Sequence, residues 1–482
     1  LVEENFPKHF IFALDLGRRF LKYSFFGLTM LAVSVGGGYE GAHMFAEKNG
    51  LAPESDDEVK KWQWESDADK WTGDPVNGGT DPNLGFKARH LVRAAWMAYT
   101  WGIGYTTAAI GSRDQRGSGL VGPMGIKIIN PHLQLTEDFL REAIRLAKSS
   151  QDKLYSHTLA HLFILHAAVL EKLGDDFLPE AKAELERAGA SLDGGRHLDS
   201  ARLALKLGDI DSRLGLKEQA LDWWARTLVL VDGKQPKIAS IPRELVPEQP
   251  PSSPLAQRLL SSTLVSLSAF YAKTGQYREA QLVEEKALSV LRAIQPPDSL
   301  ATASPPQALH ALFLLQRSSV ISVHLAEVVY AQRRPAVLSM QWLTSAAESS
   351  ERVARVLTGL PLVKSQDFHS KSDLPHPLEE RLLTAYSSSR SMKGVAEGLL
   401  RDARRTAAES WNLMGVLHEA KEGARSRSAL ACYERAVEWA GCPSPNGENG
   451  REAARGIPDA DWKIVLGNYQ RLKRQVEGGS SD

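Results

Sequence analysis

The chain has 482 residues, of which 43% are hydrophobic and 24% charged. That ordinary globular composition excludes a wholly disordered or collagen-like chain, and 58 Lys plus Arg against 58 Asp plus Glu give no global pull toward nucleic acid. Two cysteines cannot build a disulfide scaffold or a four-thiolate zinc site.

Residue 1 is Leu, which points to a processed form or a fragment, with any cleaved targeting segment outside the sequence. Phe10 to Lys22 predicts an amphipathic helix, basic at its end, that either lies on the inner leaflet or extends an anchor. Tyr23 to Tyr39 follows with 17 uncharged residues. A bilayer core needs about 20, so the span is extended past Glu40 and drawn as 23–46. A buried soluble helix and a cleavable signal sequence are the alternatives, and Tyr39-Glu40 makes a poor cleavage site. Arg18, Arg19 and Lys22 precede the run, whereas residues 47–74 carry nine acidic and four basic side chains, net −5. The positive flank stays on the side of origin, which predicts a matrix or cytosolic segment 1–22 and a body on the opposite side.

Residues 47–85 read as an acidic connector, with turn residues crowded into 73–85. Trp62, Trp64 and Trp71 are too many for a pure linker. They either pack on the body, the favoured reading, or stand at the headgroups. From 86 to 476 apolar residues recur at three- and four-residue spacing, which predicts an all-α body.

Within it, helix pairs recur in the pattern of tetratricopeptide repeats, with large residues, a packing Gly or Ala and a small residue at fixed offsets. The best matches are 261–294 (Leu264, Leu267, Tyr271, then Ala280, Ala287, Leu288), 201–230 (Gly208, Ala220, Trp224, Leu228) and 408–440 (Trp411, Gly415, Ala429, Tyr433, Ala436). A degenerate fourth is 157–190. The fold predicted is a tetratricopeptide-repeat α-solenoid behind one transmembrane helix. Residues 86–110 and 132–149 would cap one end, and Ala460 to Val476 the other, with Trp462, Ile464, Val465 and Leu472 facing inward.

Chemistry is sparse. His157 and His161 have metal-ligand spacing, but HTLAH lacks the Glu of a zinc-protease motif, so packing or surface roles are expected. The glycine-rich run from Gly111 to Gly122 lacks the Gly-Lys-Ser/Thr of a phosphate loop and reads as a plain loop. Cys432 and Cys442, on one helix and its exit, would lie roughly 15 Å apart, too far to bridge. No catalytic constellation, cofactor or metal site is predicted. What remains is a binding groove, with Arg202, Asp209, Arg213, Lys273, Asn412 and Glu419 as protein-binding candidates on first helices of the repeats.

Two features together carry a resemblance: the apolar segment running into Tyr39-Glu40-Gly41-Ala42-His43-Met44, and the block Gly79-Thr80-Asp81-Pro82, Gly85-Phe86-Lys87, Arg89-His90 and Arg93-Ala94-Ala95-Trp96. The chain resembles the fungal mitochondrial inner-membrane tetratricopeptide proteins, the group that holds the adaptor of the i-AAA protease supercomplex. The specific motifs span only residues 39–96. The resemblance implies a single-pass inner-membrane anchor, repeats in the intermembrane space, and no catalytic residue or cofactor. It also implies i-AAA protease subunits and unfolded client proteins as partners. A scaffold for another inner-membrane complex and an enzyme with an unrecognised helical site are the competing readings.

Overall fold

The computed structural model describes residues 6–67, 70–71, 78–103, 120–121, 127–128, 130–150, 154–192, 197–233, 242–300, 302–361, 382–423, 425–441 and 459–477. Most of the glycine-rich 111–122 stretch, Cys442 and the Trp462 side chain lie outside what is described. The described chain is all-helical apart from a two-residue antiparallel pair, β1 (Leu120–Val121) with β2 (Lys127–Ile128). It divides into two compact units. The first is Leu1–Pro53 with Trp71–Ser191, and the second Glu54–Lys70 with Leu192–Asp482.

Unit 1 opens with α1 (Phe6–Phe45), which is long and apolar enough to cross a membrane, a test that a signal sequence also passes. The 18-residue window that qualifies is fully exposed. α1 does not end in a flexible joint. It runs into a π-helical turn, Ala46–Gly50, where Ala46 and Leu51 are buried. In unit 2, α2 (Asp57–Lys61) and α3 (Trp64–Asp67) are short. Unit 1 resumes with α4 (Gly85–Trp101), α5 (Pro131–Lys148), α6 (Thr158–Leu173) and α7 (Leu178–Ser191). α4 packs on α5, α5 on α6, and α6 on α7.

Glu47 locks the turn to α4. Arg93 donates Nε to Glu47 Oε2 at 2.6 Å, Arg89 reaches Oε1 at 2.8 Å, and the Thr80 N–H donates to Oε1 at 3.0 Å. Burial pushes the Glu47 carboxyl up, but these donors outweigh it and hold its pKa below the ordinary value. Asp81 closes a second joint. Its carboxylate caps Asn83 N and accepts from Tyr155 N and from Thr158 Oγ1, at the start of α6. His166 lies buried between Glu137 (3.1 Å) and Glu184 (3.6 Å). Burial pushes its pKa down, and the two carboxylates override that and raise it.

Unit 2 continues as helices of unequal length: α8 (His197–Arg213), α9 (Lys217–Val231), α10 (Pro254–Lys273), α11 (Tyr277–Ala293), α12 (Pro305–Ala331), α13 (Ala336–Thr358), α14 (Thr384–Ser387), α15 (Arg390–Glu422), α16 (Arg427–Ala440) and α17 (Asp459–Glu477). Starts and stops follow local chemistry. Ser253, Ser389 and Ser426 cap α10, α15 and α16 by accepting N–H groups of the first turn, and Pro stands at the first position of α10 and α12. Gly359 and Gly441 end α13 and α16 in the left-handed conformation. α12 also passes the length and hydropathy test for a membrane span, yet 61% of its window is buried, which marks a core helix.

Antiparallel neighbours pair as α8 with α9, α10 with α11, α12 with α13, and α15 with both α13 and α16. The approach is close where a glycine meets an aromatic ring. A Cβ on Gly208 of α8 would lie 2.6 Å from the Trp224 indole of α9, and one on Gly415 of α15 would lie 2.5 Å from the Tyr433 ring of α16. Ala280 and Ala287 of α11 are fully buried in a cluster with Leu264, Leu267 and Tyr271 of α10. Ala280→Leu should overpack that seam and destabilise the protein by about 1–3 kcal/mol in thermal unfolding. An unchanged melting temperature would contradict the register.

The first helix of the 408–440 pair is lengthened toward its N-terminus, since α15 runs 33 residues. One expectation differs from the structure. Ile464 of α17 points outward, 60% exposed, while Val465 and Leu472 are buried. The inward face of α17 is narrower than its apolar content suggested.

Between α10, α11 and α12 lies a buried polar network. Ser268 Oγ donates to Glu284 Oε1 at 2.7 Å and stands 2.9 Å from His324 Nδ1. Burial raises Glu284 to about 8, with the nearby Glu327 and Glu285 charges adding to it. The unfolded carboxyl titrates near 4.5, so it gives up its proton at lower pH than the folded one. The stability that this proton supplies is complete below pH ~4.5 and is lost as pH rises through about 8. Glu284→Gln should therefore flatten the fall in melting temperature between pH 5 and 8. An unaltered pH profile would contradict the assignment.

Candidate functional site

The most developed binding arrangement is in unit 2, where the segment Glu54–Asp67 lies as a strap across α8, α10, α12 and the α15 cap. Sequence reading made this part of a connector. Its acid and turn residues carry no helical period, so their fixed contacts cannot be read from spacing.

Arg258 of α10 is the centre of the grip, and is itself buried. Its Nε donates to Asp67 Oδ2 at 2.5 Å, one terminal nitrogen to the Trp62 carbonyl at 3.1 Å, and the other to the Gln63 carbonyl at 3.0 Å. The guanidinium carbon stands 3.9 Å above the Trp64 ring. Trp64 is fully buried, and its indole N–H donates to the Pro306 carbonyl at 2.9 Å. Gln63, with φ of 56°, turns its side chain to accept from Ser253 Oγ (2.7 Å) and Leu255 N (3.0 Å). At the ends, Ser389 Oγ donates to Glu54 (3.1 Å) and Lys70 pairs with Asp199 (3.4 Å).

His310 of α12 completes the floor. Burial, with the Arg258 charge beside it, pushes its pKa down to about 3, so the ring is neutral. Arg258 can only donate, which makes Nδ1 (3.2 Å) the acceptor and Nε2 the donor to Gln257 Oε1 at 2.8 Å. Beside the strap opens a cavity of about 670 Å³, lined by Trp62, Pro251, Gln257, Leu291, His310 and Leu314 among others. Its volume falls in the usual range for ligand sites, roughly 300–1,000 Å³. The Trp62 indole N–H is buried and meets no acceptor among the described residues.

Against this geometry the six groove candidates divide. Arg202 donates to the Ser66 carbonyl and, at 2.6 Å, to the Asp67 carbonyl, so it serves the strap. Asp209 accepts the Trp224 indole N–H at 3.1 Å inside the α8–α9 pair. Asn412 accepts from Asn468 of α17 at 3.0 Å. Glu419 takes the Tyr433 hydroxyl (3.0 Å) and a fork from Arg471 of α17. Arg213 and Lys273 stand exposed at the ends of α8 and α10. Four of the six thus make internal bonds: the strap engages Arg202, Trp224 engages Asp209, and α17 engages Asn412 and Glu419. The structure brings no pair of the six into contact in these bonds.

Arg258 and His310 were missed by sequence reading, since a lone Arg or His in an apolar helix carries no pattern. The signal available was the surplus of tryptophans at 62, 64 and 71. Trp64 and Trp71 are buried, each within its own unit, and Trp62 is half-buried. The His157 and His161 rings meet at a tilt of 54° with centroids 5.0 Å apart, and among the described residues no His, Cys, Asp and Glu cluster has metal-binding geometry. Cys432 is buried, and burial pushes its thiol up to about 12, which leaves it protonated and unreactive at neutral pH. No protein-family model matches the chain, and no curated protein matches it.

Proposed function

We propose that the chain is a membrane-anchored, non-enzymatic adaptor that binds unfolded protein segments through a tetratricopeptide-like helix stack and presents them to the i-AAA protease of the mitochondrial inner membrane. The observation that carries the binding half is the strap. Unit 2 holds a segment of two short helical turns by directing Arg202 and Arg258 onto four main-chain carbonyls and one carboxylate. Carbonyls are common to every sequence, so this chemistry suits a binder of many clients. The cavity beside the strap adds room for apolar client side chains.

The repeat reading is supported by the paired helices and by the glycine-to-ring approaches at Gly208 and Gly415. The anchor reading is supported by the exposure of α1, and Arg18, Arg19 and Lys22 support an N-terminus in the matrix with the body in the intermembrane space. The protease half rests on the resemblance of residues 39–96 alone. Affinity purification from mitochondria in mild detergent tests it. Protease subunits are expected in the eluate, whereas respiratory or translocase subunits in their place would favour a scaffold for another complex.

A further inference from the structure

The apolar run of α1 is short for a bilayer. Seventeen uncharged residues, Tyr23 to Tyr39, rise about 26 Å at 1.5 Å each, against a hydrocarbon core of roughly 30 Å. The missing few ångströms fall at the end of α1 that faces α4. There Tyr39, His43, His90 and Phe86 form a continuous ring cluster, with centroids 4.4 Å (Tyr39–His43), 4.6 Å (His43–His90) and 3.9 Å (Phe86–His90) apart. Phe86 opens α4 and is 75% exposed, a costly placement in water for a ring at the head of a helix. Next to it, Leu91, Ala94, Leu135 and Phe139 line an apolar pocket of about 470 Å³ that also takes in Tyr39 and Phe86.

The height of this patch is fixed. Glu47 ties the turn after α1 to Arg89 and Arg93 of α4, the same helix that carries Phe86 and His90. Phe45 and Trp101 approach to 6.0 Å further along the two helices. A helix joined so cannot hinge at its exit without breaking a partly buried ion-pair group, so Phe86 stays level with the last residues of the apolar run. Aromatic rings are favoured at that depth.

We propose that unit 1 makes a second contact with the bilayer: Phe86 and the start of α4 seat in the lipid interface beside α1, and the adjoining pocket receives a lipid acyl chain. The proposal rests on the reading of α1 as a membrane anchor. Its occupant is lipid and not a protein partner, because the patch continues the membrane-facing surface of α1. Glu40, which contacts His90 at 3.2 Å, and Lys87, which pairs with Glu142 at 3.2 Å, stand at its rim with charge of both signs. That rim gives no preference between anionic and neutral headgroups.

The test uses the full chain reconstituted in phosphatidylcholine vesicles, in a Cys442→Ser background with buried Cys432 retained. Single nitroxide labels are placed at Phe86→Cys, at Leu31→Cys in the apolar run, and at Glu186→Cys on an exposed face of α7. Collision with oxygen, which concentrates in lipid, is compared with collision with a water-soluble nickel chelate. The expected result is oxygen-dominated relaxation at positions 31 and 86 and nickel-dominated relaxation at 186. Position 31 in lipid with position 86 in water would overturn the second contact and leave the anchor standing. A label at 86 shielded from both reagents would overturn it too, as protein cover. Position 31 in water would remove the anchor and this proposal together. Circular dichroism melting of each labelled chain checks that it is folded.

Discussion

Glu351→Ala should destabilise the protein by about 3–5 kcal/mol, a large share of the roughly 5–15 kcal/mol that holds a typical domain folded. Glu351 of α13 is buried, and three side chains converge on it. Arg435 of α16 donates twice, at 2.7 and 2.6 Å, while Trp411 of α15 and Trp439 of α16 donate their indole N–H groups at 2.7 and 2.9 Å. Truncation leaves a buried guanidinium without its counter-charge and two buried N–H donors without an acceptor. Each omission carries a desolvation cost of about 1–3 kcal/mol or more. The loss belongs to the unpaired partners, so Arg435→Met added to Glu351→Met should recover part of it. Thermal unfolding of the single and double variants measures the coupling. A single variant within about 0.5 kcal/mol of the parent would contradict the packing of α13, α15 and α16.

Trp64→Ala should be of similar size, about 3–5 kcal/mol, with a different readout. The ring fills a fully buried site against Leu309, Phe313 and the Arg258 guanidinium, and its N–H satisfies the Pro306 carbonyl. Removing it opens a cavity, breaks the indole bond to α12 and frees the middle of the strap. Lys60 and Lys61 lie just upstream and are exposed. Limited trypsin digestion should therefore cut slowly there in the parent and much faster in the variant. Equal, rapid cutting in both would contradict the hold of α10 and α12 on the strap.

The helices of the body could be read from three- and four-residue spacing, because one buried stripe per helix is all that a helix pair demands. Gly208 with Trp224 and Gly415 with Tyr433 were recognisable for the same reason, as a small residue and a large one at a fixed offset. The strap's bonds were not, since the partners of Trp62 to Asp67, Arg258 and Arg202, are more than a hundred residues away. The cover over some groove candidates escaped for a related reason. Periodicity says which side of α8 or α15 faces away from its partner helix, and not what else covers that side. At Asn412 and Glu419 the cover is α17, whose Asn468 and Arg471 carry no motif.

The same geometry alters what a groove variant can test. Replacing Arg202 or Asn412 would disturb the strap or α17 as well as any client, whereas Arg213 and Lys273 are exposed and leave the internal bonds described here in place. The central claim, that this chain delivers substrates to a protease which can act without it, is tested most directly by turnover. Half-lives of i-AAA client proteins are measured by pulse-chase in mitochondria with and without the chain. The account predicts slower but continuing degradation in its absence, because the peptidase site belongs to another subunit. Identical half-lives in the two samples would contradict the adaptor reading.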